Sequence, residues 1–301
     1  MGLFVLDTNQ AMNRFSAGAV AVLVALFAQA ANSHVQGQQA ANNEKSKPAA
    51  KLKATERTIA VTAPPVRFDP FYKKYVSMDG LPLLGSEKVP DAAFGVAVEI
   101  IDHLLENRAD VRKALIEAKV RVAIMAKDEL TTQIPEHRDL KPAEYWDKRA
   151  RGLGATPIRP ASSCAEENLL GYATDGYKGE CILIHEFAHT IHEMGLVRLD
   201  QSFDGRLREL HRKATRKDLW QNTYAATNHK EYWAEGVQSW FDANREADPA
   251  NGVHNHVNTR EELQAYDPDL AQLIQQVFGD NSWRWRSPAR DSCLRSPGAA
   301  R

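Results

Sequence analysis

The segment 181–195, CILIHEFAHTIHEMG, carries His185, Glu186 and His189 in the order H-E-x-x-H inside an apolar run. On a helix, residues four apart stand on one face, one turn above the other. His185 and His189 can therefore offer two imidazoles to one ion. Glu186 is offset by about 100° around the helix and reaches a water on that ion. A catalytic zinc takes three protein ligands and keeps one position open. The motif supplies two ligands and a base, so a third ligand has to come from elsewhere.

The extended form H-E-x-x-H-x-x-G-x-x-H would need glycine at 192 and histidine at 195. Here those positions hold His192 and Gly195, so that form is excluded. A glutamate on a later helix is the alternative. The stretch 227–240, TNHKEYWAEGVQSW, offers Glu231 and Glu235, four apart and so on one helical face. One can bind the ion while the other hydrogen-bonds a ligand histidine. Tyr232, Trp233, Val237, Trp240 and Phe241 surround the pair with apolar bulk. A carboxylate buried in such bulk needs a partner.

HEFAH, followed about 35 residues later by YAATNHKEYWAE, resembles the catalytic domain of the anthrax toxin lethal factor family, whose relatives include the bacterial Pro-Pro endopeptidases. The resemblance spans residues 179–245 and implies a gluzincin-type site in a zincin-like fold. It implies that Glu231 is the third zinc ligand, that Tyr224 is the catalytic tyrosine, and that Glu235 orients a ligand histidine. Tyr232 and Trp233 fall on the family's aromatic pair. One Zn2+ per chain is expected. The kinase-docking regions of lethal factor have no identifiable counterpart, so its substrate is not carried over.

Other histidines and charges read more plainly. His192 points some tens of degrees away from the His185–His189 pair and is expected as a polar cleft residue. His254 and His256, in NGVHNHVNTR, read as hydrogen-bonded loop histidines beside the cleft. The basic run 206–217 reads as a solvated helix face. The extended stretch 152–170 is of the kind that receives substrate as an added strand. Its G-L-G lacks the rest of a nucleotide motif.

Several elements must position these residues. Apolar spacing predicts helices at 91–106 and 109–118, then a β-branched strand over 119–126. A short helix is expected at 142–150, and loop or edge strand over 152–178. The H-E-x-x-H helix covers 179–194. Helices follow at 203–220 and 229–244, with one or two more within 260–279. The fold class expected is α+β, a mostly helical domain with a small sheet beside the active-site helix.

The chain has 301 residues, 43% of them hydrophobic, enough for a sizeable core. A net charge of −1 gives no global field toward nucleic acid or an acidic membrane. Residues 17–30 form an uncharged apolar run after Arg14 that ends in Ala28-x-Ala30, the pattern of a secretory signal peptide over 1–30. Residues 31–65 read as a disordered linker, 66–286 as the catalytic domain, and 287–301 as a flexible tail. In an exported chain, Cys164 could pair with Cys293 or with Cys181, or Cys181 could be a free buried thiol.

The function expected is a secreted zinc metalloendopeptidase. It acts on peptide or protein substrates as a monomer, without nucleic acid and without stable membrane association after signal cleavage. The competing readings are a zinc hydrolase of a non-peptide amide and a non-catalytic binding protein with a structural zinc.

Overall fold

The structure is a computed structural model that describes residues 59–288. The expected signal peptide, the linker up to residue 58, the tail beyond residue 288 and Cys293 lie outside the described residues. The last linker residues lie within them, and there Thr62 already pairs with Tyr75. The paired chain thus begins before residue 66.

Strands β1 (Lys74–Met78) and β2 (Leu81–Gly85) form a hairpin that the sequence reading did not place. Its turn is Asp79-Gly80, with φ of 50° and 97°. Left-handed backbone at both central residues matches the right-handed twist of the flanking strands, and the Asp-Gly pair suits it. Helix α1 (Asp91–Leu104) follows and buries Phe94, Ala97, Val98, Ile101 and Leu104, one stripe at three- and four-residue spacing. Helix α2 (Ala109–Glu117) is shorter and buries Val111, Ala114 and Leu115.

The chain then enters β3 (Arg121–Met125), which pairs in parallel with β2. Helix α3 (Ala143–Arg149) lies in the next connection. Strand β4 (Ala161–Ala165) completes a four-stranded sheet of order β1-β2-β3-β4, parallel to β3. Side chains of β3 alternate between two cores. Val122 and Ile124 join the main helical core, whereas Ala123 and Met125 face Tyr72, Ile134 and Ala165. With both faces covered, the strand reads as a continuous apolar run.

A short turn of helix, α4 (Glu166–Leu169), leads toward α5 (Ile182–Thr190), which carries the motif. The helix continues through a π-helical stretch, Ile191–Leu196, into α6 (Val197–Leu199). Helix α7 (Phe203–Arg216) buries only Phe203, Leu207 and Ala214. Its basic residues are solvated and pair with Asp200, Asp204, Glu209 and Asp269, as expected for that run. Helix α8 (His229–Trp240) is capped by Asn228, whose Oδ1 accepts from the amides of Lys230 and Glu231 at 2.9 and 3.1 Å. Helices α9 (Arg260–Tyr266) and α10 (Pro268–Phe278) close the core against α8. The domain is α+β and mostly helical, with its small sheet beside α5. No helix among the described residues is long and apolar enough to cross a membrane.

Cys164 is not in a loop. It sits in β4, fully buried, and both it and Cys181 are free thiols. The expected Cys164–Cys181 alternative is therefore not formed. Burial pushes both thiols up, Cys181 to about 12, so each stays protonated.

Behind the sheet, His137 is buried with Nε2 2.9 Å from Ser163 Oγ. Burial pulls its imidazole down to about 4. It is neutral in the folded chain at a pH where the unfolded chain, near its ordinary value of about 6.5, takes up a proton. Stability should therefore fall as pH drops from about 6.5 to about 4, by on the order of 3 kcal/mol from this residue at most. Urea midpoints of wild type and His137→Gln across that window test this. Parallel pH profiles for the two proteins would exclude His137 as the source.

Candidate metal centre and cleft

Helix α5 lies between β4 and α8, and His185 and His189 project toward the first turn of α8. The Asn228 cap fixes that turn and with it Glu231. The result is a triangle: His185 Nε2, His189 Nε2 and Glu231 Oε2 lie 3.1 Å from one another. A tetrahedral ion with bonds of about 2.0–2.1 Å holds its ligand atoms about 3.3 Å apart, so the spacing fits one small divalent cation. Among the described residues this is the only such group of three His, Cys, Asp or Glu side chains. Imidazole and carboxylate donors of this set suit zinc.

The charges around the triangle also ask for a cation. Burial opposes a charged His185, but its hydrogen bond to Glu231 and the charges of Glu186 and Glu235 outweigh this and raise the imidazole to about 10. Burial likewise opposes ionisation of Glu231, yet the bonds from His185 and His189 hold its carboxyl well below the usual range. The cluster thus favours positive charge on the histidines or between them.

The outer side of His185 departs from expectation. Its Nδ1 lies 2.8 Å from Gln238 Oε1 and 3.6 Å from Glu235 Oε1, so Gln238 makes the hydrogen bond expected of Glu235. The amide of Gln238 is oriented by its own Nε2, which donates to the carbonyls of Cys181 and Ala243 at 3.2 and 3.4 Å. Its oxygen therefore faces the imidazole and accepts from Nδ1, which leaves Nε2 to face the triangle. Gln238 stands seven residues past Glu231 on the same face, a spacing readable in the sequence; only the residue type concealed it. Glu235 is buried beside it, accepting from Asn244 Nδ2 at 3.0 Å, and burial raises its carboxyl. Gln238→Leu should weaken zinc binding about 10–100-fold, with Gln238→Glu close to wild type, as read by competition with a chromophoric chelator. An unchanged affinity in a folded Gln238→Leu protein would remove the residue from this role.

Glu186 lies in the cleft beside the triangle, its carboxyl raised by burial and drawn back by His185 and His189. Above it runs the strip Arg151–Gly154. Leu153 O accepts from Ser163 N at 2.8 Å, so the strip covers the outer edge of β4 and itself faces the cleft. The expectation of an edge over 152–170 narrows to this strip. A Cβ on Gly154 would stand 2.6 Å from His189 Cβ, and one on Gly152 2.9 Å from Glu186 Cγ. The G-L-G pattern thus serves close approach of backbone to the motif helix.

Tyr224 sits on a 3-10 turn, Tyr224–Ala226, across the cleft. Its ring lies 6.3 Å from that of His185, nearly parallel. Burial, with the charge of Glu231, pushes its phenol up to about 12, so it remains a proton donor. Its hydroxyl accepts from Arg149 Nη2 at 3.4 Å. The triangle, Glu186, the strip Arg151–Gly154, Tyr224 and Arg149 line one cleft of about 590 Å3.

Of the three histidines expected in or beside the cleft, His192 and His256 are elsewhere, whereas His254 lies against two carboxylates of its lining. His192 is fully buried in the π-helical stretch, 3.2 Å from Asp204 Oδ1 and beside His229. His254 is buried near Glu180 and Glu235, while His256 is exposed against Tyr266, so the two share no site.

No protein-family profile matches the chain, and no curated protein is detectably similar in sequence. Among solved structures, the Pro-Pro endopeptidase PPEP-2 from Paenibacillus alvei overlaps 66% of this chain and 97% of its own. The identity is 15% and the TM-score 0.36. An overlap that shallow decides nothing about activity.

Proposed function

We propose that the chain is a secreted zinc-dependent metalloendopeptidase acting as a monomer on peptide or protein substrates. The observation that carries this reading is the His185–His189–Glu231 triangle, 3.1 Å on each side and open to a cleft that also holds a buried carboxylate and a phenol. Those three residues would hold one Zn2+, which when bound acidifies water and polarises a carbonyl. Glu186 accepts the proton of the attacking water as its oxygen bonds to the peptide carbonyl carbon. The carboxyl then gives that proton to the leaving amine as the C–N bond breaks. Tyr224 donates to the oxygen on which negative charge develops. Gln238 holds His185 in the tautomer that presents Nε2.

A structural zinc is disfavoured because such sites are closed by four protein ligands, and the described residues bring together three. The test is incubation of the purified protein with a diverse peptide mixture, read by mass spectrometry, with chelator and Glu186→Ala controls. Cleavage lost in both controls supports the peptidase; no cleavage by protein holding one zinc per chain rejects it. A parallel panel of non-peptide amides, cell-wall fragments included, separates the hydrolase alternative. Tyr224→Phe should lower kcat about a hundredfold with KM little changed. An unchanged kcat would take Tyr224 out of the chemistry.

A further inference from the structure

We infer that Arg149 is the specificity-determining cation of the cleft, taking a substrate carboxylate beside the scissile bond. This rests on the peptidase reading above and adds the substrate class, an acidic peptide. Three cations line the cleft: Arg149, Arg151 and Lys230. Two are spoken for. Arg151 forks onto Glu167 at 2.6 and 3.0 Å, and Lys230 pairs with Glu193 at 2.8 Å. Arg149 instead meets two hydroxyls, Tyr145 OH at 3.1 Å and Tyr224 OH at 3.4 Å. A guanidinium carries five N–H donors in a planar fork. Two are used here, so the fork can still take both oxygens of a carboxylate.

The group is held ready. Its charge lies 5.8 Å from the centre of the Tyr145 ring and 6.0 Å from that of Tyr224. Tyr177 OH donates to the Arg149 carbonyl at 2.6 Å and fixes the end of α3. The position sets the subsite. Arg149 touches Tyr224, and Tyr224 lies against His185, so a carboxylate bound there is one phenol ring from the metal centre. That places it on a residue adjoining the bond to be cut.

The rest of the cleft sharpens the choice. Among the cleft's carboxylates, Glu180 pairs with Arg245 at 3.1 Å and Glu231 would hold the zinc, which leaves Glu186 and Glu235 to repel an acidic side chain wherever Arg149 does not answer it. Acid is thus accepted at one position and rejected at its neighbours. The carboxylate can come from a Glu or Asp side chain or from the substrate's free C-terminus.

The test uses end-blocked alanine-rich peptides with a single Glu, Gln or Lys walked along the chain, and an alanine peptide ending in free acid or amide. Cleavage is read as kcat/KM on the zinc-loaded protein. Binding is read by calorimetry on the Glu186→Gln protein, which reports without turnover. Ratios within each variant matter, because Arg149 also touches Tyr224 and its loss can change the absolute rate. Glu should exceed Gln about tenfold or more at one position, or acid exceed amide at the terminus, and the two arms separate side chain from chain end. The preference should vanish in Arg149→Gln and turn toward Lys in Arg149→Glu. No acid preference in wild type, or one that survives Arg149→Gln, overturns the proposal. Arg149-dependent selective binding without any cleavage would sink the peptidase reading and leave Arg149 standing. Cleavage without acid preference would do the reverse.

Discussion

Glu186→Ala should lower kcat by about 10²–10⁴ while the protein still holds one zinc per chain. The two halves of this result depend on different atoms. On the proposed reading, zinc is held by His185, His189 and Glu231, whose ligand atoms form the 3.1 Å triangle without Glu186. The same reading gives proton transfer to Glu186, which stands in the cleft with its carboxyl raised by burial. A raised carboxyl is a stronger base when ionised and holds its proton over more of the pH range, which suits a group that takes one proton and keeps it until the amine leaves. Metal analysis and steady-state kinetics on the same preparation decide the matter. Loss of zinc in the variant would mean that Glu186 supports the centre rather than the chemistry. Full activity would exclude it as the base.

The second large effect falls on the metal itself. Glu231→Ala removes one of three ligands and leaves two imidazoles beside the raised carboxyl of Glu186. Structural zinc sites in small domains bind with about 10–16 kcal/mol over four ligands, so one ligand contributes about 2.5–4 kcal/mol. Zinc affinity should therefore fall on the order of 10²–10³-fold, and turnover at limiting zinc should fall with it. Glu231 is also in the first turn of a helix capped by Asn228, where a carboxylate stabilises the N-terminus by about 0.3–1 kcal/mol. Glu231→Asp separates the two roles, since it keeps the charge in the first turn and withdraws the ligand oxygen from the triangle. Undiminished zinc binding in both variants would show that the third ligand is another residue.

Much of this centre is legible in the sequence because helical spacing is a local property. His185 and His189 are four apart, and Glu231 follows a capping asparagine on an apolar helix. Such patterns survive folding unchanged. The hairpin β1–β2 was equally local, and Met78-Asp79-Gly80-Leu81 carried its signal in the Asp-Gly pair. Tertiary facts were not readable. Gln238 reaches His185 from a residue 53 positions away, and nothing in its type announces a metal-site partner. Cys164 looked like a loop cysteine because β4, ASSCA, has little β-branched character. It is a strand because β3 supplies a parallel partner along its whole length. His192 seemed to belong to the cleft on ordinary helical geometry, but it lies in the π-helical stretch, where that spacing no longer applies, and is wholly buried.

Helix α3 forms a wall of the cleft yet buries none of its seven residues. It is fastened from outside, by Asp147 to Thr132 at 2.8 and 2.9 Å and by Tyr177 to the Arg149 carbonyl. Surface substitutions away from such anchors usually change stability by less than about 0.5 kcal/mol. On the proposed reading, the metal ligands and the base sit instead on α5 and α8, packed into the core. On that reading, drift on one external helix can rewrite what the cleft admits while the ligands and the base stay in place. A designer who wants a new diet from this scaffold has the same freedom: randomise Tyr145, Trp146 and Arg149 and leave the interior as inherited.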